Sequence, residues 1–425
     1  MSVHLILLLL LVLMIGLFTL QCIYQFGMKI DAGYVIGFSL YFDMIGFLYK
    51  QAMPGNALFL LVAVPMLPAL IAWFSKGERT GDILKDSGIW LWLLVLLYGL
   101  ATLTWTPPGS NGLYKMIILV VHAVIPGVYA YIIYKKYGKF SWTIVALFGL
   151  AYAATHLVFG EYTDEYPGRL ALPGSNPIIN ARMSLITISI SLWGRGIPLM
   201  IRIITIVVAG ISAFATESRG PLVAFIIANG MIAVFSFFKK YRREGLKKLQ
   251  SYLAAFLILL AAGGLVASQY SAELETWVSN SRFAVLFDHS ELQGDANYIG
   301  RLDLQRKAFQ TWNEHPFIGA GLGSVTPPIA RDFPHNVILE IACELGIIGL
   351  LLWSLAYLNS LWIARSQMVL LVLLLQTIGT ALVSGDFGYN FEYLLFAFVS
   401  LALYKNEQRE VAENHDKSSV SYHRF

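Results

Sequence analysis

The 425-residue chain has few charged residues, which make up 13% of it, whereas 57% of its residues are hydrophobic. A soluble domain averages about 25% charged residues. Long apolar runs recur from end to end, and many are long enough to cross a hydrocarbon core of about 30 Å. The shortage of charge therefore excludes an ordinary soluble domain and predicts an all-α, polytopic membrane protein.

Cysteine and several catalytic motifs are also scarce or absent. The two cysteines, Cys22 and Cys343, lie in apolar stretches, which argues against a disulfide framework or a thiolate metal site. The sequence has no D-x-D pair, no GxxxxGK[ST] phosphate loop and no H-E-x-x-H motif. We therefore predict no metal and no cofactor, so that arginines would have to neutralise any bound pyrophosphate.

Twelve apolar segments are predicted to cross the membrane. The segment from Asp31 to Lys50 is also apolar, but Asp31 and Asp43 interrupt it, so a re-entrant segment and a thirteenth span both stay open. The twelve predicted spans are Val3–Tyr24, Asn56–Phe74, Ile89–Trp105, Met116–Tyr134, Ser141–Phe159, Ile178–Trp193, Ile197–Thr216, Pro221–Phe238, Leu249–Ser268, Asn336–Ile363, Met368–Ser384 and Phe391–Tyr404.

Basic residues in the connections predict the orientation of these spans. They are concentrated in alternate connections, most of all in KKYRREGLKK at Lys239–Lys248, and the positive-inside rule places those connections in the cytoplasm. The opposite connections hold fewer basic residues, namely Lys29, Lys50, Lys115, Arg169, Arg182 and Arg219. The predicted regions are an N-terminal membrane region at 1–268 with external loops near 161–180 and 217–220, a large periplasmic loop at 269–334 with short helices, a C-terminal membrane region of three spans at 335–404 and a cytoplasmic, disordered tail at 405–425.

Arginines on the predicted external side are candidates for binding an anion. Arg219 lies in ATESRGPL, where Gly220 and Pro221 are predicted to interrupt the helix between two spans. A fixed cation for a lipid phosphate and an interfacial anchor that extends to the headgroups are both open interpretations of Arg219. Three further external arginines are weaker candidates: Arg301, which is predicted to open the helix before a Gly/Pro-rich loop, Arg282 and Arg169.

His335 is the most informative single residue, because it follows Pro334 and directly precedes a helix that enters the membrane. The dipole at a helix N-terminus favours anions and neutral imidazole, which is the form that a general base needs. A histidine hydrogen-bonded to Asn336 or to a loop carbonyl is the alternative. Glu340 and Glu344 share one face of the same helix, where they would pair with arginine or stay protonated. The other acidic and histidine side chains on this side carry no pattern of their own: His289, His315, Asp386 and Glu392.

Two consecutive segments form a composite pattern, IGRLDLQRKAFQTWNEHPFIGAGLGS and then PHNVILEIACELGIIGLLLW. An arginine opens an external helix, a P-x-x-G-x-G loop follows, and H-N-x-x-L-E…E-x-G-x-x-G enters a membrane helix. This pattern resembles the core of the O-antigen ligase and polymerase superfamily. ESRGPL resembles the upstream arginine of that superfamily, and GRLALPGSNPIINA resembles its earlier external loop. The resemblance covers most of the chain from about Tyr162 onward.

The resemblance implies a glycosyltransferase of the bacterial inner membrane whose active site faces the periplasm. Its donor would be a glycan linked to undecaprenyl diphosphate, and in the ligases its acceptor is a sugar hydroxyl of lipid A–core in lipopolysaccharide. A single displacement would invert the anomeric centre. Its other partners would be membrane lipids and not nucleic acid. The roles carried over are diphosphate binding for Arg219 and Arg301, acceptor activation or diphosphate contact for His335, and further substrate contacts for Arg282, Arg169 and Asn336.

Other functions stay open from the sequence. An O-antigen polymerase joins two lipid-linked repeats, and a protein O-oligosaccharyltransferase uses a serine or threonine acceptor, while both share the same core. The chain lacks the larger C-terminal region common in the protein-modifying branch, which favours the ligase. A transporter or flippase of lipid-linked sugars is the alternative from another class. Transporters often have internal repeats and charges at the bilayer midplane, and neither is clear in this sequence.

Overall fold

The computed structural model describes residues 31–52, 87–244, 268, 296–325 and 333–404. These ranges are mostly helical, and the sheet within them is an antiparallel pair of short strands, β1 (Glu161–Tyr162) and β2 (Leu170–Ala171). The helices are α1 (Ala32–Leu40), α2 (Phe42–Ala52), α3 (Ser87–Thr102), α4 (Gly112–Leu119, the π-helical turn Val120–Val124 and Ile125–Tyr137), α5 (Trp142–Phe159), α6 (Pro177–Trp193), α7 (Leu199–Ala215), α8 (Arg219–Glu244), α9 (Ala296–Glu314), α10 (Val337–Ala364), α11 (Met368–Ala381) and α12 (Glu392–Tyr404).

Each predicted span that falls within the described ranges is a helix in the structure. Four of these helical segments are long and apolar enough to cross a membrane: Gly112–Lys135, Trp142–Phe159, Arg219–Lys239 and Val337–Ala364. Four others are apolar but shorter: α3, α7, α11 and α12. The predicted spans Val3–Tyr24, Asn56–Phe74 and Leu249–Ser268 lie outside the described residues apart from Ser268, so the number of twelve stays a prediction.

The ambiguous segment after Asp31 forms two short helices, α1 and α2, which meet at Tyr41. Asp31 caps the first of them, since its Oδ1 accepts hydrogen bonds from the N–H of Gly33 at 2.8 Å and of Ser141 at 2.9 Å. This explains a carboxylate at the start of an apolar stretch, because an aspartate at the N-cap satisfies an otherwise unpaired backbone donor. Each helix alone is shorter than the roughly 20 residues that a bilayer requires.

Small residues allow the helices to approach closely. A Cβ added to Gly149 on α5 would lie 2.3 Å from Oγ1 of Thr187 on α6, so only glycine fits at this crossing. Helices α5, α6 and α7 pack side by side, and α8 packs against α11 and α6. Helix α3 packs against α10, and α9 lies on α10 as well.

Contacts between helix ends define one end of the bundle, which we call the candidate end. It contains the C-terminal ends of α3, α5, α7 and α11 and the N-terminal ends of α4, α6, α8, α10 and α12. Hydrogen bonds join these ends directly: Ser218 before α8 donates to Pro177 of α6, and Lys115 of α4 donates to Glu340 of α10. Arg301 and His335 also lie at this end, so the bundle brings them to the same side as Arg219.

Candidate active site

Arg219 is the first residue of α8 and lies half-buried at the candidate end. The predicted helix break at Gly220 and Pro221 is wrong. The break is the preceding turn, Thr216–Ser218, and both Gly220 and Pro221 are helical. Pro221 fits in the first turn because the N–H that it lacks would have no helical partner there.

Arg169 holds the turn in front of Arg219. Its Nε donates to the carbonyl of Thr216 at 3.0 Å, and its Nη2 donates to Oγ of Ser218 at 2.7 Å. Ser218 in turn donates to the carbonyl of Pro177 at 3.1 Å, which ties the turn to the start of α6. The buried guanidinium of Arg169 therefore fixes the position at which α8 begins, and the predicted contact of Arg169 with substrate stays a prediction.

Arg301 lies in the second turn of α9, because that helix begins at Ala296 and not at Arg301 as the sequence argument expected. Its Nη1 donates to the carbonyl of Val383 at 3.1 Å. Val383 also packs against the start of α8, since a Cβ added to Gly220 would lie 3.0 Å from its Cγ2. Val383 is thus the point at which the segments carrying Arg219 and Arg301 meet.

His335 directly precedes the N-cap of α10. The Oδ1 atom of Asn336 accepts a hydrogen bond from the N–H of Leu339 at 3.1 Å, which confirms the predicted start of this helix. His335 itself has φ of 51°, a left-handed conformation that costs a non-glycine residue roughly 1–3 kcal/mol and is concentrated at functional sites. Its Nδ1 atom is buried and has no hydrogen-bond partner among the described residues.

The imidazole of His335 is neutral at pH 7. Burial lowers its pKa to about 4, and the positive charge of Arg301 lowers the pKa further in the same direction. The neutral form agrees with the sequence argument, although that argument attributed it to the helix dipole. The effect of Arg301 also indicates that these two predicted catalytic residues lie within electrostatic reach of each other.

The glycine-rich loop after α9 pairs with a break inside α10. Gly346 has φ of 66° and ψ of −171°, a conformation that is essentially restricted to glycine, so α10 is interrupted at Gly346. The N–H groups of Ala320 and Gly321 donate to the carbonyls of Cys343 and Glu344, both at 2.9 Å. In return, the N–H of Ile347 donates to the carbonyl of Pro316 at 2.9 Å. The two glycine-containing halves of the motif are therefore one interlocked unit.

The same loop is fixed to α3 and to the turn after it. The indole Nε1 of Trp105 donates to the carbonyl of Gly319 at 3.2 Å, and the N–H of Leu322 donates to Oγ1 of Thr102 at 3.1 Å. A Cβ on Gly112 would lie 2.1 Å from the carbonyl oxygen of Leu322, so the loop lies directly on the start of α4. The loop that follows α9 is anchored to the helix bundle through this contact.

Two groups of buried ion-paired side chains lie beneath the candidate residues, and sequence reasoning missed both. Lys115 is only 1% exposed and donates through Nζ to Glu340 and, at 2.7 Å, to Oε1 of Glu344. The two glutamates were expected to pair with arginine or to stay protonated, so the lysine partner corrects that expectation. Lys115 was assigned to an external connection because it precedes the apolar run of α4.

The second group is a single ion pair between Arg182 on α6 and Glu392 at the start of α12, and both side chains are buried. Arg182 also donates to the carbonyl of Tyr389 at 3.3 Å. Glu392 and Asp386 were treated as external and uninformative, but each is only 1% exposed. In the sequence, Lys115, Arg182 and Glu392 directly adjoin apolar runs, which marks them as candidates for burial but does not identify their partners.

The remaining predicted residues and the metal expectation stay untested. Arg282 lies outside the described residues. Asn336 uses its side-chain oxygen as a helix cap, and its contact with substrate stays a prediction. Within the described ranges, no three His, Cys, Asp or Glu side chains are grouped so that they could hold a metal ion.

The fold defines a class of helical proteins with apolar helices of membrane-spanning length and a polar site at one end of the bundle. The family model described as O-antigen ligase matches residues 204–354, a range that contains Arg219, Arg301 and His335. This match confirms the resemblance to the O-antigen ligase superfamily and implies a glycosyltransferase-like enzyme that acts on lipid-linked glycans in a membrane. No curated protein matches the chain.

Proposed function

We propose that this protein is an O-antigen ligase, which transfers O-antigen polysaccharide from undecaprenyl diphosphate to a sugar hydroxyl of lipid A–core. The observation that supports this proposal is the convergence of Arg219, Arg301 and His335 at the candidate end, within the matched range. Two cations and a neutral imidazole are the groups that a metal-independent displacement of a diphosphate requires. We place the reaction at the periplasmic face of the bacterial inner membrane.

In the proposed reaction, the acceptor hydroxyl gives its proton to the imidazole of His335. The hydroxyl oxygen attacks the anomeric carbon of the donor, and the bond from that carbon to the diphosphate oxygen breaks. The electron pair of this bond leaves with undecaprenyl diphosphate, whose negative charge Arg219 and Arg301 stabilise. One displacement inverts the anomeric configuration, so the product linkage has the configuration opposite to that of the donor.

The charge on Arg301 has a consequence for the order of these events. A pKa of about 4 makes His335 a weak base at neutral pH, because a general base is most effective when its pKa is close to the working pH. The donor diphosphate would offset the charge of Arg301 and raise the pKa of His335. Binding of the donor would therefore prepare the base before the acceptor reacts.

The direct test incubates the purified protein in EDTA with lipid-linked O-antigen and, in separate reactions, with lipid A–core, pilin-like protein or additional donor. We expect lipid A–core alone to gain glycan, with an inverted linkage and without added divalent ions. Glycan on protein or an elongated donor would identify the oligosaccharyltransferase or the polymerase instead. An unchanged anomeric phosphate bond with movement of donor between leaflets would identify a flippase, and recovery of activity only with Mg²⁺ would contradict the role of the arginines.

A further inference from the structure

The connection between α11 and α12, Val383–Asn390, is a braced turn that we call the 383–390 loop. The side-chain amide of Asn390 donates to the carbonyl of Ser384 at 3.0 Å and to that of Asp386 at 2.7 Å. The carboxylate of Asp386 accepts a hydrogen bond from the N–H of Tyr389 at 2.7 Å. Gly385 has φ of 74° and permits the tight bend. These contacts make the loop a defined local structure.

Three helices of the candidate site hold this loop. Its first residue, Val383, accepts the hydrogen bond from Arg301 and packs against Gly220 next to Arg219. Its middle is held by Glu340 of α10, whose Oε1 and Oε2 accept hydrogen bonds from the N–H of Phe387 at 3.1 and 3.0 Å. The loop therefore connects the arginine side of the site to the helix that begins at His335.

Glu340 is tied closely to the start of α10. Its own N–H donates to the carbonyl of Asn336 at 2.9 Å, which places it in the first helical turn after His335. Its carboxylate is fully buried, and Lys115 supplies the opposite charge. A buried carboxylate that has both a cation and a backbone donor is held in one geometry, because any displacement would leave charge unpaired. The position of Glu340 is therefore fixed relative to both the first turn of α10 and the 383–390 loop.

We propose that Glu340 is a positioning residue, which fixes the 383–390 loop relative to the first turn of α10 and thereby sets the spacing of Arg301 and His335. This proposal rests on the proposed function for its effect on turnover, but the spacing itself can be measured without any substrate. Glu340 does not touch the reacting atoms in this scheme. It acts through Phe387 and Val383 on Arg301, and through the start of α10 on His335.

Glu344 provides a matched comparison. It lies one turn further along α10, is equally buried and bonds to the same Lys115, but no hydrogen bond joins its carboxylate to the 383–390 loop among the described residues. Glu340→Met and Glu344→Met each remove one carboxylate with little change of volume and leave Lys115 with the other. Glu340→Gln keeps an oxygen that can accept the hydrogen bond of Phe387. The three variants separate the contact with the loop from the loss of a buried charge.

The substrate-free measurement is the titration of His335, monitored through its reaction with diethyl pyrocarbonate at pH 3 to 8 and quantified by peptide mass spectrometry. The purified full-length chain in detergent is used, and only variants that elute as a single species are compared. His335 in the wild type should titrate near pH 4, where burial and Arg301 set its pKa. In Glu340→Met the midpoint should rise above 4, because Arg301 is displaced, and should stay below the unperturbed value of about 6.5, because burial persists. Glu340→Gln and Glu344→Met should stay close to the wild type.

The transfer assay then reports the effect on turnover. A displacement of about 1 Å is enough to lower a rate by about 10²-fold, so Glu340→Met should lose about that factor in kcat while Glu340→Gln recovers most of it. An unshifted titration in Glu340→Met, or an equal shift in Glu344→Met, would overturn the positioning role. Failure of the proposed function would give a different result, because the titration would still shift in Glu340→Met while no acceptor gained glycan.

Discussion

Gly319 and Gly346 face each other so closely that neither position can carry a Cβ atom. A Cβ on Gly319 would lie 2.5 Å from the backbone nitrogen of Gly346, and a Cβ on Gly346 would lie 2.5 Å from the backbone nitrogen of Gly319. Both residues also have positive φ, at 76° and 66°. The P-x-x-G-x-G and E-x-G-x-x-G halves of the sequence pattern therefore depend on each other through one contact between two backbones.

Gly346→Ala should destabilise the protein, because the added methyl group meets backbone atoms that cannot move aside. The conformational strain alone is about 1–3 kcal/mol, before the clash is counted. The midpoint of thermal inactivation in detergent should fall, and transfer activity should fall with it. Gly230→Ala is the control: Gly230 lies in α8 with nothing within 4 Å of the added Cβ, and alanine is favoured over glycine in a helix. Equal midpoints for the two variants would contradict the interlocked contact.

His335→Ala should lose most transfer activity while it still binds the lipid-linked donor. A positioned general base contributes typically about 10²–10⁴-fold, so kcat should fall by a factor in that range. Initial rates and donor binding are measured on the same preparation, with matched expression and elution profiles. Near-normal turnover in His335→Ala would remove the base from the scheme and leave His335 with a role in contacting the diphosphate.

Arg219→Lys and Arg301→Lys should weaken both donor binding and turnover. Lysine keeps the charge but lacks the planar fork that binds two phosphate oxygens at once. We expect a decrease of up to about 10²-fold in kcat, together with a higher KM for the donor. Arg202→Lys at the opposite end of α7 is the matched control, because its guanidinium bonds only to the carbonyls of Leu192 and Gly194 in the described structure. Normal donor binding in both site variants would make these arginines structural anchors, with Arg282 and Arg169 as the next candidates.

The pH dependence should differ between the free and the donor-bound enzyme. Protonated His335 cannot accept a proton, so activity is present above its pKa and is lost as the pH falls through it. For the free enzyme, the acid limb of kcat/KM for the donor should lie near pH 4. The acid limb of kcat should lie higher, because bound diphosphate offsets Arg301. In Arg301→Gln the limb of kcat/KM should rise above 4 but stay below about 6.5, because burial still lowers the pKa of His335, and a limb that stays near 4 would show that Arg301 does not act on His335.

The orientation in the membrane is tested with single cysteines at the two ends of the bundle. Tyr241→Cys lies at the C-terminal end of α8, and Ala296→Cys begins α9. In intact spheroplasts, an impermeant thiol reagent should label Ala296→Cys only, because the positive-inside rule places the basic end of α8 in the cytoplasm. Lysed cells serve as the control in which both sites are accessible. Labelling of Tyr241→Cys alone would reverse the topology and place the candidate end in the cytoplasm.

Local sequence patterns were sufficient to predict the apolar helices. In the described ranges, each apolar run that was predicted to be a span is a helix. The Pro-His-Asn sequence located the start of α10 to within one residue. Where the local pattern is ambiguous, the predicted boundary is displaced: the sequence places Arg301 at the opening of a helix that the structure begins at Ala296. Helix boundaries depend on capping and on tertiary contacts, which a local stretch of sequence does not reveal.

The buried ion pairs could not be predicted because they join distant parts of the chain. Lys115 and Glu340 are 225 residues apart, and Arg182 and Glu392 are 210 residues apart. A charged residue beside an apolar run has the same local pattern whether it faces water or a partner from another helix. Only the arrangement of the helices decides between the two cases, and for this reason Lys115 and Arg182 were assigned to exposed connections.

The pairing of the glycine-rich loop with the break in α10 determines which parts of the site can open. Moving the C-terminal end of α9 away would break backbone hydrogen bonds at Ala320, Gly321, Ile347 and Ile348, each of which contributes about 0.5–1.5 kcal/mol net. The C-terminal end of α9 is therefore held in place and cannot move aside as a lid over the site.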